Sequence, residues 1–176
     1  EFNQYSEKDL SETLSIIRNR DLNYFPGTNA STLALEAGKL LSDPNGPRVA
    51  VFKVENFDTH AAQGGDKGTH ADCLKEYDQI LKALKASLGS TFKDTLILTL
   101  TEFGRTVKQN GGKGTEHGYG TAVLMAGGLI KKSEVHGDWP GLKKKDLFEG
   151  RDLNSTMDAR SIYASAMSTV FDLDFK

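Results

Sequence analysis

Asp58 and His60 lie two positions apart, just after the apolar run Arg48-Val-Ala-Val-Phe-Lys-Val54. On an extended backbone, alternate side chains point the same way, so this spacing puts a carboxylate and an imidazole on one side. Such a pair can ligate a divalent cation or work as an acid and a base. The same two residues also fit an aspartate capping a turn beside a surface histidine. A second cluster, Thr101-Glu-Phe-Gly-Arg-Thr106, follows the apolar run Thr95-Leu-Ile-Leu-Thr-Leu100. Glu102 at the end of a buried run needs a partner to offset desolvation. Arg105 is near enough in sequence to be that partner. Alternatively, Glu102 is a metal ligand and Arg105 clamps a phosphate or sulfate, whose oxygens match its planar fork.

Three further histidines are candidates. His117 lies in Thr115-Glu-His-Gly118, where a flanking glycine leaves room for an ion or ligand to approach. His70 falls in the first turn of a helix, just after the first cluster, and His136 falls in a polar loop. Cys73, the lone cysteine, rules out an internal disulfide or a cysteine-rich metal site and is expected to be a half-buried packing residue.

The elements that must hold these residues are predicted from periodicity. A helix is expected from about Ser6 to Arg20, then a turn at Pro26-Gly27, then a helix over Thr32 to Leu41 ending near Asp43-Pro44-Asn-Gly46. The run from Arg48 to Val54 is nearly continuously apolar and predicts a strand buried on both faces. Leu74, Tyr77, Leu81, Leu84 and Leu88 recur at spacings of three and four, one stripe along a long helix. A strand over Thr95 to Leu100 follows. Strand, helix and strand predict a right-handed parallel crossover, with both polar clusters on one sheet edge, where ligands of open α/β sheets bind. Glycines from Gly104 to Gly120 either wrap close to a ligand or form a surface loop. Thr121 to Ala126 is a third strand candidate. Ser155 and Asp158 predict the start of a last helix with Ile162, Ala166 and Val170 as its stripe.

The bulk composition bounds the function classes. The chain has 176 residues, enough for one domain, with 38% hydrophobic residues and 18 glycines. Twenty-two basic residues face 24 acidic ones, so no global field draws it to nucleic acid or an anionic membrane. No apolar run approaches the roughly 20 residues of a membrane-crossing helix. The first residue is Glu1 and no signal peptide is visible, which predicts a processed or shortened chain. Asn29-Ala-Ser31 and Asn154-Ser-Thr156 fit a glycosylation pattern, expected here to be chance.

Taken in order, Phe57-Asp-Thr-His60 with Gln63, His70, Thr101-Glu-Phe-Gly-Arg-Thr106, His117-Gly118, Gly137-Asp-Trp-Pro-Gly141 and Gly150-Arg-Asp-Leu153 form a set. The set resembles the bacterial family numbered 1501 among domains of unknown function, over nearly the whole chain beyond about Asn23. That family is grouped with the alkaline phosphatase-like superfamily of phosphatases, sulfatases and phosphoglycerate mutases. The resemblance implies an α/β fold, a three-layer αβα sandwich with a mostly parallel sheet, of which residues 1–176 would be a single domain and the C-terminal portion. It also suggests a periplasmic or exported protein.

The resemblance further implies metals at the strand edge, with Thr101-Glu-Phe-Gly104 at the position of a strand-end ligand motif and His117 as a later ligand. Three departures stand out: Phe103 occupies the place of a ligand histidine, Asp58 and His60 are closely spaced, and the usual nucleophile falls upstream. The expectation is a hydrolase-like domain acting on a small-molecule phosphate or sulfate ester. Asp58, His60, Glu102 and His117 would be ligands of a divalent metal (zinc, manganese, magnesium or calcium), and Arg105, Thr106 and His70 substrate contacts. The alternative is a degenerate, non-catalytic domain whose polar cluster binds a ligand or holds the fold.

Overall fold

The computed structural model describes residues 29–174. The expected helix from Ser6 to Arg20 and the turn at Pro26-Gly27 lie outside them. The first described helix, α1, spans Ala30–Ser42. Asn29 caps it, its Oδ1 accepting from the Thr32 backbone N–H at 2.8 Å. The helix stops at Asp43, whose Oδ1 takes the Asn45 N–H into a turn at 2.8 Å.

The long helix, α2, spans Thr69–Leu88 and continues into a 3-10 turn over Gly89–Asp94. Its buried residues are Cys73, Ile80, Leu84 and Leu88, whereas Leu74 is 47% exposed. The stripe is therefore turned from the expected one towards Cys73 and Ile80, and Cys73 is buried rather than half-buried. The cause is the partner helix. Ala30, Ala34 and Gly38 of α1 recur every four residues and let the helices approach closely. A Cβ on Gly38 would sit 1.8 Å from Ser87 Oγ. Ala30, Ala34, Ile80, Leu84 and Leu88 form the core, covered by Phe52, Val54, Phe92 and Ile97 among others.

The strands depart from expectation. Among the described residues they are β1 Ile97–Thr99, β2 Gly104–Arg105, β3 His117–Gly118 and β4 Leu124–Ala126. β1 pairs with β4 and β2 with β3, both antiparallel, in two two-stranded sheets. The three-layer αβα sandwich with a mostly parallel sheet is thus overturned. The run 48–54 forms no strand. Instead Phe52 and Val54 lie against the helix pair while Val51, 91% exposed, faces outward. The run is a one-sided cover with no ladder partner among the described residues, which therefore contain no parallel crossover.

The four strands are nested. β1 and β2 lead out and β3 and β4 return, with residues 100–103 opposed by 119–123, one more on the returning arm. Backbone pairing is interrupted over these residues, which separate the two sheets. Thr101 Oγ1 donates to Thr121 Oγ1 across the gap at 3.1 Å. The tip of this long hairpin is the glycine-rich stretch, closed by Asn110 N–H donating to the Gly114 carbonyl at 2.9 Å.

The last helix, α3, spans Ala159–Phe171 with Asp158 as its N-cap, and none of its residues is buried. The expected stripe is half-buried at Ile162 and Ala166 and exposed at Val170. No helix among the described residues is long and apolar enough to cross a membrane.

Candidate metal centre

The hairpin tip folds over the segment that carries Asp58 and His60. Ala62 and Gln63 donate backbone N–H bonds to the Gly112 and Lys113 carbonyls, each at 2.9 Å, and Thr115 N–H donates to the Thr59 carbonyl at 3.1 Å. Two glycines permit this approach. A Cβ on Gly114 would lie 2.3 Å from the carbonyl carbon of His60, and one on Gly118 would lie 2.6 Å from that of Arg105. The glycines therefore serve backbone-to-backbone contact.

Side chains alternate along this segment as its spacing predicts. Thr59 is buried, its hydroxyl donating to Gln63 Oε1 at 2.9 Å, and Asp58 and His60 point outward on either side of it. Thr115 donates to the same Gln63 oxygen at 2.8 Å and ties the hairpin to the segment. On the hairpin, Arg105 of β2 stands directly opposite His117 of β3. Directly opposed residues of an antiparallel pair share a face, so both reach Asp58.

Three ligand atoms converge there. His60 Nε2 and His117 Nε2 are 3.1 Å apart, His117 Nε2 is 3.0 Å from Asp58 Oδ1, and His60 Nε2 is 3.1 Å from the same oxygen. All three side chains are about half exposed, so the cluster opens to solvent. Arg105 Nη2 donates to Asp58 Oδ1 at 2.7 Å. The guanidinium is held behind it by the carbonyls of Thr115 and Phe57, at 3.1 and 3.4 Å. Partial desolvation would raise the Asp58 pKa, but the His117 hydrogen bond and the charges of Arg105, His60 and His117 outweigh it and hold the carboxyl below its ordinary value. Phe103 stacks on the His117 ring, centroids 3.9 Å apart at 26°.

His60 has a second partner on its other nitrogen. Nδ1 lies 3.0 Å from Glu116 Oε2, and the other Glu116 oxygen takes a short hydrogen bond from Asn110 Nδ2. That bond, and then the one from His60, lowers the Glu116 pKa.

The remaining expected residues sit elsewhere. Glu102 is exposed and has no hydrogen-bond or ion-pair partner among the described residues; the partner expected for it, Arg105, is taken by Asp58. Thr106 is buried in the hairpin arm, its hydroxyl donating to the Lys108 carbonyl and accepting the Glu116 N–H, both at 3.1 Å. His70 meets Phe57 edge-on, centroids 6.0 Å apart, with Nδ1 buried and unpartnered among the described residues. His136 contacts Glu134 at 3.6 Å.

Sequence reasoning passed over Glu116 and Asn110. Spacing offered no signal for Glu116, because an alternating pattern would point it away from its neighbour His117, whereas the two meet different nitrogens of one His60 ring. Asn110 reads as an ordinary turn residue ahead of Gly111-Gly112.

The atom set suits a metal ion. Ligands about 2.0–2.1 Å from a tetrahedral zinc stand roughly 3.3 Å from one another, close to the separations seen here. Asp58, His60 and His117 also form the one group of three or more such side chains found among the described residues.

No curated protein and no solved structure matches the chain. Residues 37–174, which include every residue of this cluster, match the family described as protein of unknown function (DUF1501). The chain belongs to the DUF1501 family.

Proposed function

We propose that the protein binds one divalent transition-metal cation at Asp58, His60 and His117 and uses it to engage a phosphate or sulfate ester. The observation that carries this reading is the near-equal triangle of ligand atoms, with sides of 3.0–3.1 Å. Hydrogens alone satisfy it poorly. Each Nε2 bears at most one hydrogen, aimed along one direction, so two imidazoles cannot fill all three sides with hydrogen bonds. A cation in front of the triangle satisfies the three atoms together. Two imidazoles and one carboxylate favour zinc over the oxygen-rich coordination preferred by magnesium, calcium and manganese.

Such a cation, when bound, polarises an ester oxygen and lowers the pKa of a coordinated water. The chain's own residues supply the rest. Arg105 fixes the Asp58 carboxylate, and its guanidinium retains N–H donors beyond those given to Asp58, Thr115 and Phe57. The proposal sets an oxyanion of the ester against these remaining donors. The ester class rests on this pairing and on the superfamily resemblance, not on the architecture.

A second reading has its own observation. Arg105 already occupies Asp58 Oδ1, so the cluster also works as an ion-pair clasp between the 58–63 segment and the hairpin. Calorimetric titration of chelator-treated protein with zinc and manganese, paired with assays on aryl phosphates and sulfates, separates the two. The proposal expects one cation per chain. It expects Asp58→Asn and His117→Ala to weaken binding by more than the roughly 10–100-fold typical of an outer-shell change while the circular dichroism is unchanged. It also expects a hydrolysis that chelator abolishes. Binding without hydrolysis supports a non-catalytic ligand site, and absence of binding leaves only the clasp.

A further inference from the structure

We infer that Glu116 is a positioning residue that holds His60 in the Nδ1–H tautomer, so that the Nε2 lone pair faces Asp58 and His117. This rests on the metal-site reading for its purpose, but its geometry stands by itself. A neutral imidazole carries one N–H, and each His60 nitrogen faces a carboxylate: Nδ1 is 3.0 Å from Glu116 Oε2 and Nε2 is 3.1 Å from Asp58 Oδ1. Asp58 Oδ1 already accepts from Arg105 and lies 3.0 Å from His117, whereas Glu116 Oε2 has His60 alone, which places the hydrogen on Nδ1. Nε2 is then the free lone pair, which is the form a metal needs.

The orientation of Glu116 is in turn fixed from the backbone. Asn110 Oδ1 accepts the N–H groups of Gly112 and Gly114, both at 2.9 Å. This leaves its amide nitrogen no choice but to face outward, where it donates to the His60 carbonyl at 2.9 Å and to Glu116. A flipped amide would set its nitrogen against two backbone donors. The glycine-rich turn thus selects a proton position on His60 through Asn110 and Glu116. Partners of this kind commonly orient ligand histidines, and losing one costs about 10–100-fold in metal affinity.

The test is long-range proton–nitrogen NMR on labelled full-length chain, kept metal-free with chelator at alkaline pH, followed by zinc titration. Wild type should show His60 protonated at Nδ1. Glu116→Ala should shift it towards Nε2–H and weaken zinc binding about 10–100-fold. Glu116→Gln keeps an acceptor without charge and should show smaller changes of both kinds; it also serves if the alanine variant misfolds. Cobalt-loaded wild type and Glu116→Gln should share one visible absorption band. A changed band would make Glu116 a direct ligand and overturn the positioning role. An Nε2–H tautomer in wild type, or unaltered tautomer and affinity in Glu116→Ala, would also overturn it. Wild type with Nδ1–H but no zinc binding would support the tautomer lock while removing the metal reading.

Discussion

Asp58 is the residue on which two demands meet. Its Oδ1 accepts from Arg105 at 2.7 Å and lies 3.0–3.1 Å from both imidazoles. Arg105 is 23% exposed and spans three partners, two of them backbone carbonyls in different segments. Replacing Arg105 with Met removes the donors but keeps much of the stem. The Thr115 carbonyl then loses its partner, while the Phe57 carbonyl keeps the Thr59 N–H, and an acceptor left unsatisfied away from water costs about 1–3 kcal/mol. We expect Arg105→Met to lower stability by roughly that amount in urea titration. We also expect the Asp58 carboxyl to titrate at higher pH, because the Arg105 charge is one of those that hold it down. Carbon NMR of the carboxyl reads this directly, and an unmoved titration would mean that the histidines alone set it. At this scale the sequence was partly legible. Asp58, His60, Arg105 and His117 were found by residue type and share one cluster, whereas Glu102, assigned as a ligand from its place at the end of an apolar run, stands apart.

At the scale of elements, the helices were legible and the orientation of the longest was not. Both possible stripes of α2 are apolar: Leu74 and Leu81 on one side, Cys73 and Ile80 on the other, with Tyr77, Leu84 and Leu88 between. Periodicity finds such a broad arc but not its centre. The centre is set by the small residues of α1, which draw Ile80 and Leu84 inward. A paired substitution checks this. Ile80→Ala, at 2% exposure, should cost about 2–5 kcal/mol by leaving a cavity. Leu74→Ala, at 47% exposure, should stay within about 0.5 kcal/mol in the same urea experiment. Equal losses would mean that the helix is centred as its leucine spacing suggests.

At the scale of the whole molecule, strand direction was the illegible part, because an apolar run records burial and not which neighbour it pairs with. The 95–100 run pairs with the returning arm of its own hairpin, and the 48–54 run pairs with nothing among the described residues. The two polar clusters meet all the same. Convergence needed only that the hairpin tip fold back on residues 59–63, which its glycines allow. The 48–54 run then has a different task from that of a central strand, and its two faces should respond differently. Phe52 is half-buried against the core of the helix pair, while Val51 faces solvent. Phe52→Ala should therefore lower stability by about 1 kcal/mol or more, in line with the apolar area returned to water. Val51→Ser should change stability by less than about 0.5 kcal/mol. A central strand buried on both faces would lose comparable stability at each position, so matching losses would restore the buried-strand reading and overturn the one-sided cover.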